Sequence, residues 1–270
     1  MNIIDIFAAD KDYVYMPKIQ ERRKFILDSI VKQGFVKVST LAERFGVTQT
    51  TIRKDLTFLE SQGYLYRAYG SALPAAAPLK DISLNKKILI NMDRKVKIAK
   101  AAQSLIEEND SIIIASGSTM ALFAETIKPK GRLNVVSSSV NISTELGEIE
   151  GITVMQIGGI LFSNTMSVIG NDAIEAVRNV FCSKLFFGVD GMDIEQGVTC
   201  GTIEEADLTR QMMKSSKKKI ILSDSSKLGQ LGFARICGFD EIDYLITDRD
   251  FPEEARTRLE GLGVKVIIAQ

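Results

Sequence analysis

Hydrophobic residues early in the chain repeat at helical spacing. Between residues 49 and 62 the apolar positions fall at i, i+4 and i+7, on one face of a helix. These positions are Ile52, Leu56 and Leu59. A shorter helix is expected to begin at Leu41, after a capping box of Thr40 and Glu43, and to end at Gly46. The pattern therefore predicts two helices joined by a tight turn, a helix-turn-helix.

Segments on both sides of this pair complete a small domain. Residues 17–34 carry apolar positions at helical spacing and predict a preceding helix, and residues 35–38 predict a short strand. Residues 64–67 predict a second strand, which would pair with the first as a wing. We therefore expect a winged helix-turn-helix domain over residues 17–70 and, from its prolines and alanines, an interdomain linker over residues 71–79.

The rest of the chain alternates between strand-like and helical segments. Apolar runs typical of strands occur at residues 111–115, 134–136, 153–157, 184–189, 220–222, 244–246 and 264–269. Helical patterns separate most of these runs, which predicts an open, mostly parallel α/β sheet domain over residues 80–270. Residues 158–170 instead predict a hairpin or loop.

The helix predicted over residues 49–62 has a polar face opposite its apolar one. The residues expected to contact DNA, from this helix, its start and the wing, are Thr48, Gln49, Thr50, Thr51, Arg53, Lys54 and Arg67. Such side chains read base edges when a recognition helix enters the major groove, although an ordinary solvated face has the same composition. The charge distribution favours the DNA-binding interpretation. Residues 17–70 hold ten Lys and Arg against five Asp and Glu, in a chain whose formal net charge is zero.

Small and polar residues follow the strand-like runs, and in a parallel sheet the carboxyl ends of the strands form the ligand-binding edge. The residues predicted to bind a ligand there are Gly117, Ser118, Thr119, Ser137, Ser138, Gly158, Gly159, Asp190, Asp224 and Lys227. Hydroxyls and free N–H groups at the start of a helix suit a phosphate, to which Lys227 would pair, while Asp190 or Asp224 would accept hydroxyls of a sugar or polyol. The same residues also suit ordinary caps, turns and surface charges.

Composition limits the other functions. The chain has no histidine, which excludes histidine-dependent catalysis and argues against zinc, so neither a metal site nor a cofactor is predicted. Its three cysteines lack metal-ligand spacing and are expected to be reduced. The N-terminus lacks the basic start of a signal peptide, and no run approaches the roughly 20 apolar residues of a membrane span. A cytoplasmic protein is expected, and no function is assigned to residues 1–16.

A family resemblance covers residues 18–270. In the first domain it is carried by the run VKVSTLAERFGVTQTTIRKDLTFLESQGYLYRAYGSA, which resembles the N-terminal domain of the DeoR family of bacterial transcription regulators through its TIR-x-DL-x-x-LE-x-x-G motif. In the second domain, the segments GSTM, GGILFSNTMSVIG, LFFGVDGMDIEQGVT, LSDSSKLG and IDYLITD resemble the family's effector domain, which is similar to sugar-phosphate isomerases. The resemblance implies a repressor of a sugar or polyol utilisation operon, relieved by a phosphorylated intermediate.

Three places depart from the family pattern. Residues 69–71 replace a histidine and two glycines at the end of the wing. Ala115 replaces an aspartate, and residues 137–139 are three serines in place of Thr-Asn-Ser. Either of these last two changes would alter which sugar is recognised or indicate an atypical ligand.

An enzyme is the alternative hypothesis. A sugar-phosphate isomerase with a DNA-binding appendage would use Asp190 or Asp224, with Lys227, to abstract a proton next to a carbonyl. A regulator is instead expected to form a homodimer or homotetramer on double-stranded operator DNA, because one small domain seldom binds a site specifically enough.

Overall fold

The chain folds into an N-terminal unit, Met1–Pro78, and a C-terminal unit, Leu79–Gln270. We describe them from a computed structural model that covers residues 36–61, 65–68, 71–74 and 84–270, together with residues 19, 22, 23, 25, 26, 29 and 30. Within those residues, no helix has both the length and the apolar character needed to cross a membrane.

The N-terminal unit is a winged helix-turn-helix. Its elements are β1 (Val36–Lys37), α1 (Val38–Phe45), α2 (Gln49–Ser61), β2 (Leu65–Ala68) and β3 (Ser71–Pro74). The described residues between positions 19 and 30 are helical. Gly46 ends α1 in the left-handed conformation, with φ of 59°, which glycine adopts without strain. The hydroxyl of Thr48 then accepts the N–H of Thr51 at 3.2 Å and caps α2.

Apolar side chains from the described helical residues of this unit form one core with Val36 of β1. Its buried members are Ile26, Ile30, Val36, Val38, Leu41, Ala42, Ile52, Leu56 and Leu59. The three positions of α2 predicted from helical spacing are therefore all buried. The antiparallel strands lie in the order β1, β3, β2, so that β3 is the central strand of the wing.

Two expectations for this unit are wrong. α1 begins at Val38 with Lys37 as its N-cap, so that Thr40 lies inside the helix and forms no capping box. The helix extends this far because Val38 packs in the core one turn before Leu41. In addition, Ser71–Pro74 form β3 and do not belong to a linker, because the wing needs this strand to join β1 to β2.

The C-terminal unit is an α/β domain. The strands of its large sheet are β4 (Ser111–Ile114), β5 (Leu133–Ser137), β6 (Ile152–Gln156), β9 (Cys182–Phe187), β12 (Ser216–Leu222), β14 (Tyr244–Asp248) and β15 (Lys265–Ala269). Its helices are α3 (Leu84–Leu89), α4 (Met92–Gln103), α5 (Ser118–Thr126), α6 (Val140–Gly147), α7 (Asn171–Arg178), α8 (Ile203–Lys214) and α9 (Glu253–Gly261). Short strands are β7 (Ile160–Phe162), β8 (Ser167–Ile169), β10 (Gly191–Asp193), β11 (Gly197–Cys200) and β13 (Ala234–Cys237).

The seven strands of the large sheet lie in the order β6, β5, β4, β9, β12, β14, β15. Every neighbouring pair is parallel. The strand order reverses between β4 and β9, because the chain adds β5 and β6 on one side of β4 and all later strands on the other. The predicted fold class is thus confirmed, and the hairpin expected within residues 158–170 is β7 and β8.

Apolar residues cover both faces of this sheet. In β4, Ile113 belongs to one core cluster, whereas Ile112 and Ile114 belong to the other. Successive strand residues point to opposite faces, so this alternation means that helices bury both sides. The antiparallel sheet of β10, β11 and β13 is a feature that the sequence pattern did not predict.

A buried ion pair joins the starts of β4 and β9. Lys184 donates to the carboxylate of Asp110, and the Ser183 hydroxyl donates to the same carboxylate. Both charged side chains are only 4% exposed. Burial raises the pKa of the Asp110 carboxyl, but the hydrogen bonds from Lys184 and Ser183 outweigh this effect and hold the pKa below its ordinary value.

Replacing Lys184 by Met is expected to lower the free energy of unfolding by about 3–5 kcal/mol, because it leaves a buried carboxylate without its cation. Denaturant unfolding measures this change. The control is Lys217→Met, at an exposed position of β12, which should change the free energy by less than about 0.5 kcal/mol. Equal losses in the two variants would show that the pair does not stabilise the sheet.

Candidate DNA-reading helix and ligand crevice

α2 has a buried face and an exposed polar face. Its exposed polar positions, with the residue just before it, are Thr48, Gln49, Thr50, Arg53, Lys54 and Thr57. Thr51 is half-buried and hydrogen-bonds the Thr48 hydroxyl at 3.0 Å, so both threonines also fix the start of the helix. Arg67 lies in β2, and its side chain falls outside the described residues.

A hydrogen bond organises the centre of the exposed face. Arg53 Nη2 donates to Gln49 Oε1 at 3.1 Å, one helical turn away. Both side chains therefore lie side by side and exposed. A guanidinium suits guanine and an amide suits adenine in the major groove, so this pair has the chemistry of base reading.

The underside of α2 is held by an acid between two arginines. Asp55 Oδ2 accepts from Arg22 Nε at 2.6 Å, and Oδ1 accepts from Arg23 Nε at 2.9 Å. The Arg23 guanidinium also lies 3.7 Å from the centre of the Phe58 ring. These contacts tie α2 to the helical residues between positions 19 and 30. They therefore fix which face of α2 is presented outward.

A crevice lies at the carboxyl ends of the strands, where the strand order reverses. Seven of the ten residues predicted to bind a ligand line it: Gly117, Ser118, Thr119, Ser138, Asp190, Asp224 and Lys227. They come from the segments after β4, β5, β9 and β12. The loops after the two central strands meet here because their connections leave on opposite sides of the sheet.

The other three predicted residues, Ser137, Gly158 and Gly159, do not line the crevice. Ser137 is fully buried, and its hydroxyl donates to the Ile114 carbonyl at 2.8 Å, which ties β5 to β4. Gly158 and Gly159 follow β6, the edge strand, and are exposed away from the reversal. A Cβ on Gly159 would lie 2.5 Å from the carbonyl oxygen of Ile169, so this glycine permits close approach within the hairpin.

The start of α5 forms one wall of the crevice. Its N-cap residue, Gly117, has φ of 133° and ψ of 161°, a conformation open mainly to glycine. No side chain of the described residues caps the start of α5. The first N–H groups of a helix have no intrahelical partner and carry the positive end of the helix dipole. They are therefore available to an anion, together with the hydroxyls of Ser118 and Thr119.

α3 and α4 supply a second wall, which the strand-end rule did not predict. Its polar members are Lys87, Asn91 and Lys95. Lys87 Nζ lies 3.5 Å from Asp190 Oδ1, and Asn91 Nδ2 donates to Asp224 Oδ1 at 3.0 Å. Lys95 Nζ donates to the main-chain carbonyl of Lys87 at 2.5 Å.

Lys95 is only 5% exposed, which is unusual for a lysine. Burial lowers its pKa to about 8; the Asp224 charge acts in the opposite direction, and the charges of Lys227 and Lys87 lower the pKa further. One sequence signal could have revealed it. Lys95 continues the buried series of α4, which includes Ile98 and Ala102 at helical spacing.

Arg94 fixes the start of α4 over the sheet. Its guanidinium lies 3.4 Å from Asp248 and 2.5 Å from Asp250, and it donates to the Ser225 hydroxyl at 2.8 Å. Asp248 in turn accepts the Ser225 N–H at 2.7 Å. The helix start is thus bound to the ends of β12 and β14, which positions the adjacent Lys95.

The rest of the crevice is mostly apolar. Its apolar lining includes Val168, Ile169, Cys200, Leu208, Met212 and Ile236. Burial raises the pKa of Cys200 to about 12, so it remains a neutral thiol. Among the described residues, no three His, Cys, Asp or Glu side chains converge as metal ligands. The arrangement suits a small organic anion whose hydroxyls contact carboxylates.

A winged helix-turn-helix with an exposed polar recognition helix, followed by an α/β unit with a polar crevice, defines a ligand-sensing transcription regulator. The family comparison makes this specific. Residues 22–75 match the model of the DeoR-like helix-turn-helix domain, and residues 90–249 match that of the DeoR C terminal sensor domain. The protein belongs to the DeoR family of transcription regulators.

Named relatives match over nearly their whole length. A protein named as an aga operon transcriptional repressor from Escherichia coli O157:H7 is 34% identical over 92% of this chain and 93% of its own. The lactose phosphotransferase system repressor of Streptococcus mutans is 32% identical, over 85% and 92%. The transcriptional repressor GlcR of Bacillus subtilis is 29% identical, over 93% and 96%.

Solved structures resemble part of the chain. Ribose 5 phosphate isomerase A from Neisseria gonorrhoeae is 21% identical, with a TM-score of 0.36, over 50% of this chain and 52% of its own. The eIF2B beta subunit from Chaetomium thermophilum is 16% identical, with a TM-score of 0.40, over 64% and 53%. The chain therefore spans about half the length of each of these two solved chains.

Gly117→Ala tests whether the crevice wall depends on its backbone conformation. Nothing lies closer than 4.0 Å to a Cβ built there, so the expected loss of about 1–3 kcal/mol in unfolding free energy arises from φ and not from a clash. Gly147→Ala is the matched control, because this helical glycine has open space around it and should gain up to about 1 kcal/mol. Denaturant unfolding of both variants gives the comparison. No loss at Gly117 would show that the loop tolerates other conformations.

Proposed function

We propose that the protein is a DNA-binding repressor of a sugar or polyol utilisation operon, and that a phosphorylated sugar or polyol in the crevice lowers its affinity for the operator. The observation that carries this proposal is the crevice itself. Lys87, Lys95 and Lys227 line it together with the uncapped start of α5, a combination suited to phosphate. Asp190 and Asp224 are carboxylates that would accept sugar hydroxyls.

The DNA contacts are assigned to the exposed face of α2. Gln49, Thr50, Arg53 and Lys54 would face the major groove, with Thr48 and Thr51 at the start of the helix and Arg67 in the wing. The support for this assignment is the polar, cationic exposed face, opposite a face that is buried in the core. The named relatives, which are repressors, support the direction of the response.

The mechanism would be a shift between two conformational populations. An effector that binds one state of the sensor unit more tightly stabilises that state. In a homodimer or homotetramer, the paired recognition helices must match two operator half-sites, so a changed subunit arrangement would lower operator affinity. A regulator that reads chromosomal DNA would act in the cytoplasm.

We further propose that the crevice binds its ligand without converting it. Both carboxylates that could act as a general base already have partners. Asp190 lies beside Lys87, and Asp224 accepts hydrogen bonds from Asn91 and from the main-chain N–H of Ser226. These contacts engage Oδ1 of each carboxylate and hold both acids in the wall of the crevice, which supports a binding role for them.

Arg53→Ala should weaken binding to the promoter region of the protein's own gene by about 1–3 kcal/mol, because a guanidinium that reads a base is lost. Electrophoretic mobility shift assays with this promoter and with unrelated DNA measure the specific and the non-specific DNA affinity, respectively. Arg53→Lys should retain the affinity for unrelated DNA but lose the preference for the promoter. Lysine keeps the positive charge but lacks the planar guanidinium that can form two hydrogen bonds to one base.

Lys217→Ala is the control, since it removes one exposed positive charge from the sensor unit. Its promoter affinity should equal that of the unmodified protein. If Arg53→Ala and Lys217→Ala behave alike, α2 does not read the operator.

Sugar phosphates test the sensor. Among glucose 6-phosphate, fructose 1-phosphate, ribose 5-phosphate and their analogues, an effector should raise the thermal unfolding temperature and release the protein from promoter DNA, because it binds only the folded state. The unphosphorylated sugars are the controls and should do neither. Ribose 5-phosphate should be recovered unchanged; turnover that Lys227→Ala abolishes would instead support an isomerase.

A further inference from the structure

Lys95 is a buried ammonium with little to neutralise it. Among the described residues, its hydrogen-bond acceptor is the uncharged main-chain carbonyl of Lys87. An ammonium has three N–H donors, so two of them have no acceptor in the described part of the chain. Burial of a charge is costly unless it is paired, and a buried lysine that faces a crevice is therefore suited to an anion that enters from solvent.

The charged groups around Lys95 do not replace such a partner. Lys87 from α3 and Lys227 from the turn after β12 add positive charge, and Lys87 is already beside Asp190. Asp224 is the acid that interacts with Lys95, but its Oδ1 is engaged by uncharged donors of Asn91 and Ser226.

Two other acidic side chains on the elements that pack around Lys95 have partners of their own. On the α4 side, Asp248 of β14 is paired with Arg94. From α8, Glu205 also lines the crevice, and its main-chain N–H and carboxylate both bond the Thr202 hydroxyl that caps α8. Neither acid forms an ion pair with Lys95 within the described residues.

We propose that Lys95 binds the anionic group of the effector directly. This inference rests on the proposed function of the crevice as a sugar-phosphate sensor and adds the residue and its pH dependence. The start of α5, at Gly117 to Thr119, lines the same crevice and would supply N–H donors to the same anion.

The pH dependence follows from the direction of two changes. In the free protein, burial lowers the pKa of Lys95 to about 8. A bound dianion favours the charged ammonium and raises that pKa again. Affinity should therefore be constant well below pH 8 and fall above it, where the ligand must bind with a proton. Above the pKa of the free lysine, affinity falls by at most about tenfold per pH unit. Because that pKa is about 8, most of the loss occurs above pH 8, and affinity at pH 9 should be about tenfold weaker than at pH 7.

The test uses the full-length protein with sulfate as the probe, since sulfate stays a dianion between pH 7 and pH 9, and with inorganic phosphate for comparison. Isothermal titration calorimetry in buffers of different ionisation enthalpy measures both affinity and proton uptake. The unmodified protein should bind sulfate about tenfold more weakly at pH 9 than at pH 7 and take up protons at pH 8. Affinity that is flat with pH, or no binding of either anion, would overturn the proposal without any variant.

Two variants give the matched comparison. Lys95→Met should bind sulfate at least tenfold more weakly at pH 7 and show no proton uptake, whereas Lys97→Met, at an exposed position of the same helix, should behave like the unmodified protein. Lys95→Met should also unfold at a higher temperature, because it removes a buried charge. A variant that unfolds at a lower temperature yet binds sulfate normally would show that Lys95 supports the fold and not the ligand.

Failure of this inference can be told from failure of the proposed function. If sugar phosphates release promoter DNA equally well from the unmodified protein and from Lys95→Met, Lys95 does not bind the anion, while the repressor mechanism stands. If sulfate binds through Lys95 with the expected pH dependence but no sugar phosphate changes promoter affinity, the anion site stands and the proposed effector class is wrong.

Discussion

The strand order of the large sheet reverses between β4 and β9, and the sensor crevice depends on this reversal. Connections from these two central strands leave on opposite sides of the sheet, so their carboxyl ends are left uncovered side by side. Gly117 follows one of the strands and Asp190 follows the other, and both line the opening. The same reversal explains why Gly158 and Gly159, which follow the edge strand β6, contribute nothing to it.

The reversal creates the opening, and α4 adds a buried cation to it. Arg94 binds the ends of β12 and β14 through Asp248, Asp250 and Ser225, which fixes the first turn of the helix. The next residue, Lys95, is thereby held in an environment that lowers its pKa to about 8. If this site served only to pack α4 against the sheet, a buried cation would lower the stability of the fold without any compensating interaction. A site that binds an anion regains in the complex the stability that the cation costs in the free protein.

The sequence predicted a large part of this architecture because the period of hydrophobic residues is a local property. The buried series of α2 and the seven strands of the large sheet were both found this way. Ser71–Pro74 were misassigned because a strand of four residues with one proline has no clear alternation, and its pairing with β1 is a long-range contact. The sheet of β10, β11 and β13 was missed for the same reason.

The site was predicted in part, and the limits have physical causes. Ser137 and Ser138 are adjacent at a strand end, so their side chains point to opposite sides, and only Ser138 can enter the crevice. Lys95 was missed because lysines on helices are normally exposed, and the strand-end rule does not consider helices that cover the sheet. Its phase with Ile98 and Ala102 was visible, but only burial in the folded chain shows that the crevice lies on that side.

The N-terminal unit uses charge in a complementary way. Asp55 engages Arg22 and Arg23, so these two cations stabilise the packing of α2 and are not available as a diffuse positive surface. Arg53 remains exposed on the opposite face, hydrogen-bonded to Gln49. A buried acid therefore determines which side chains of α2 are presented outward, in the same way that the contacts of Arg94 determine the position of Lys95. In both units, ion pairs that face inward fix the helix whose outward or crevice-facing side chains would meet the ligand.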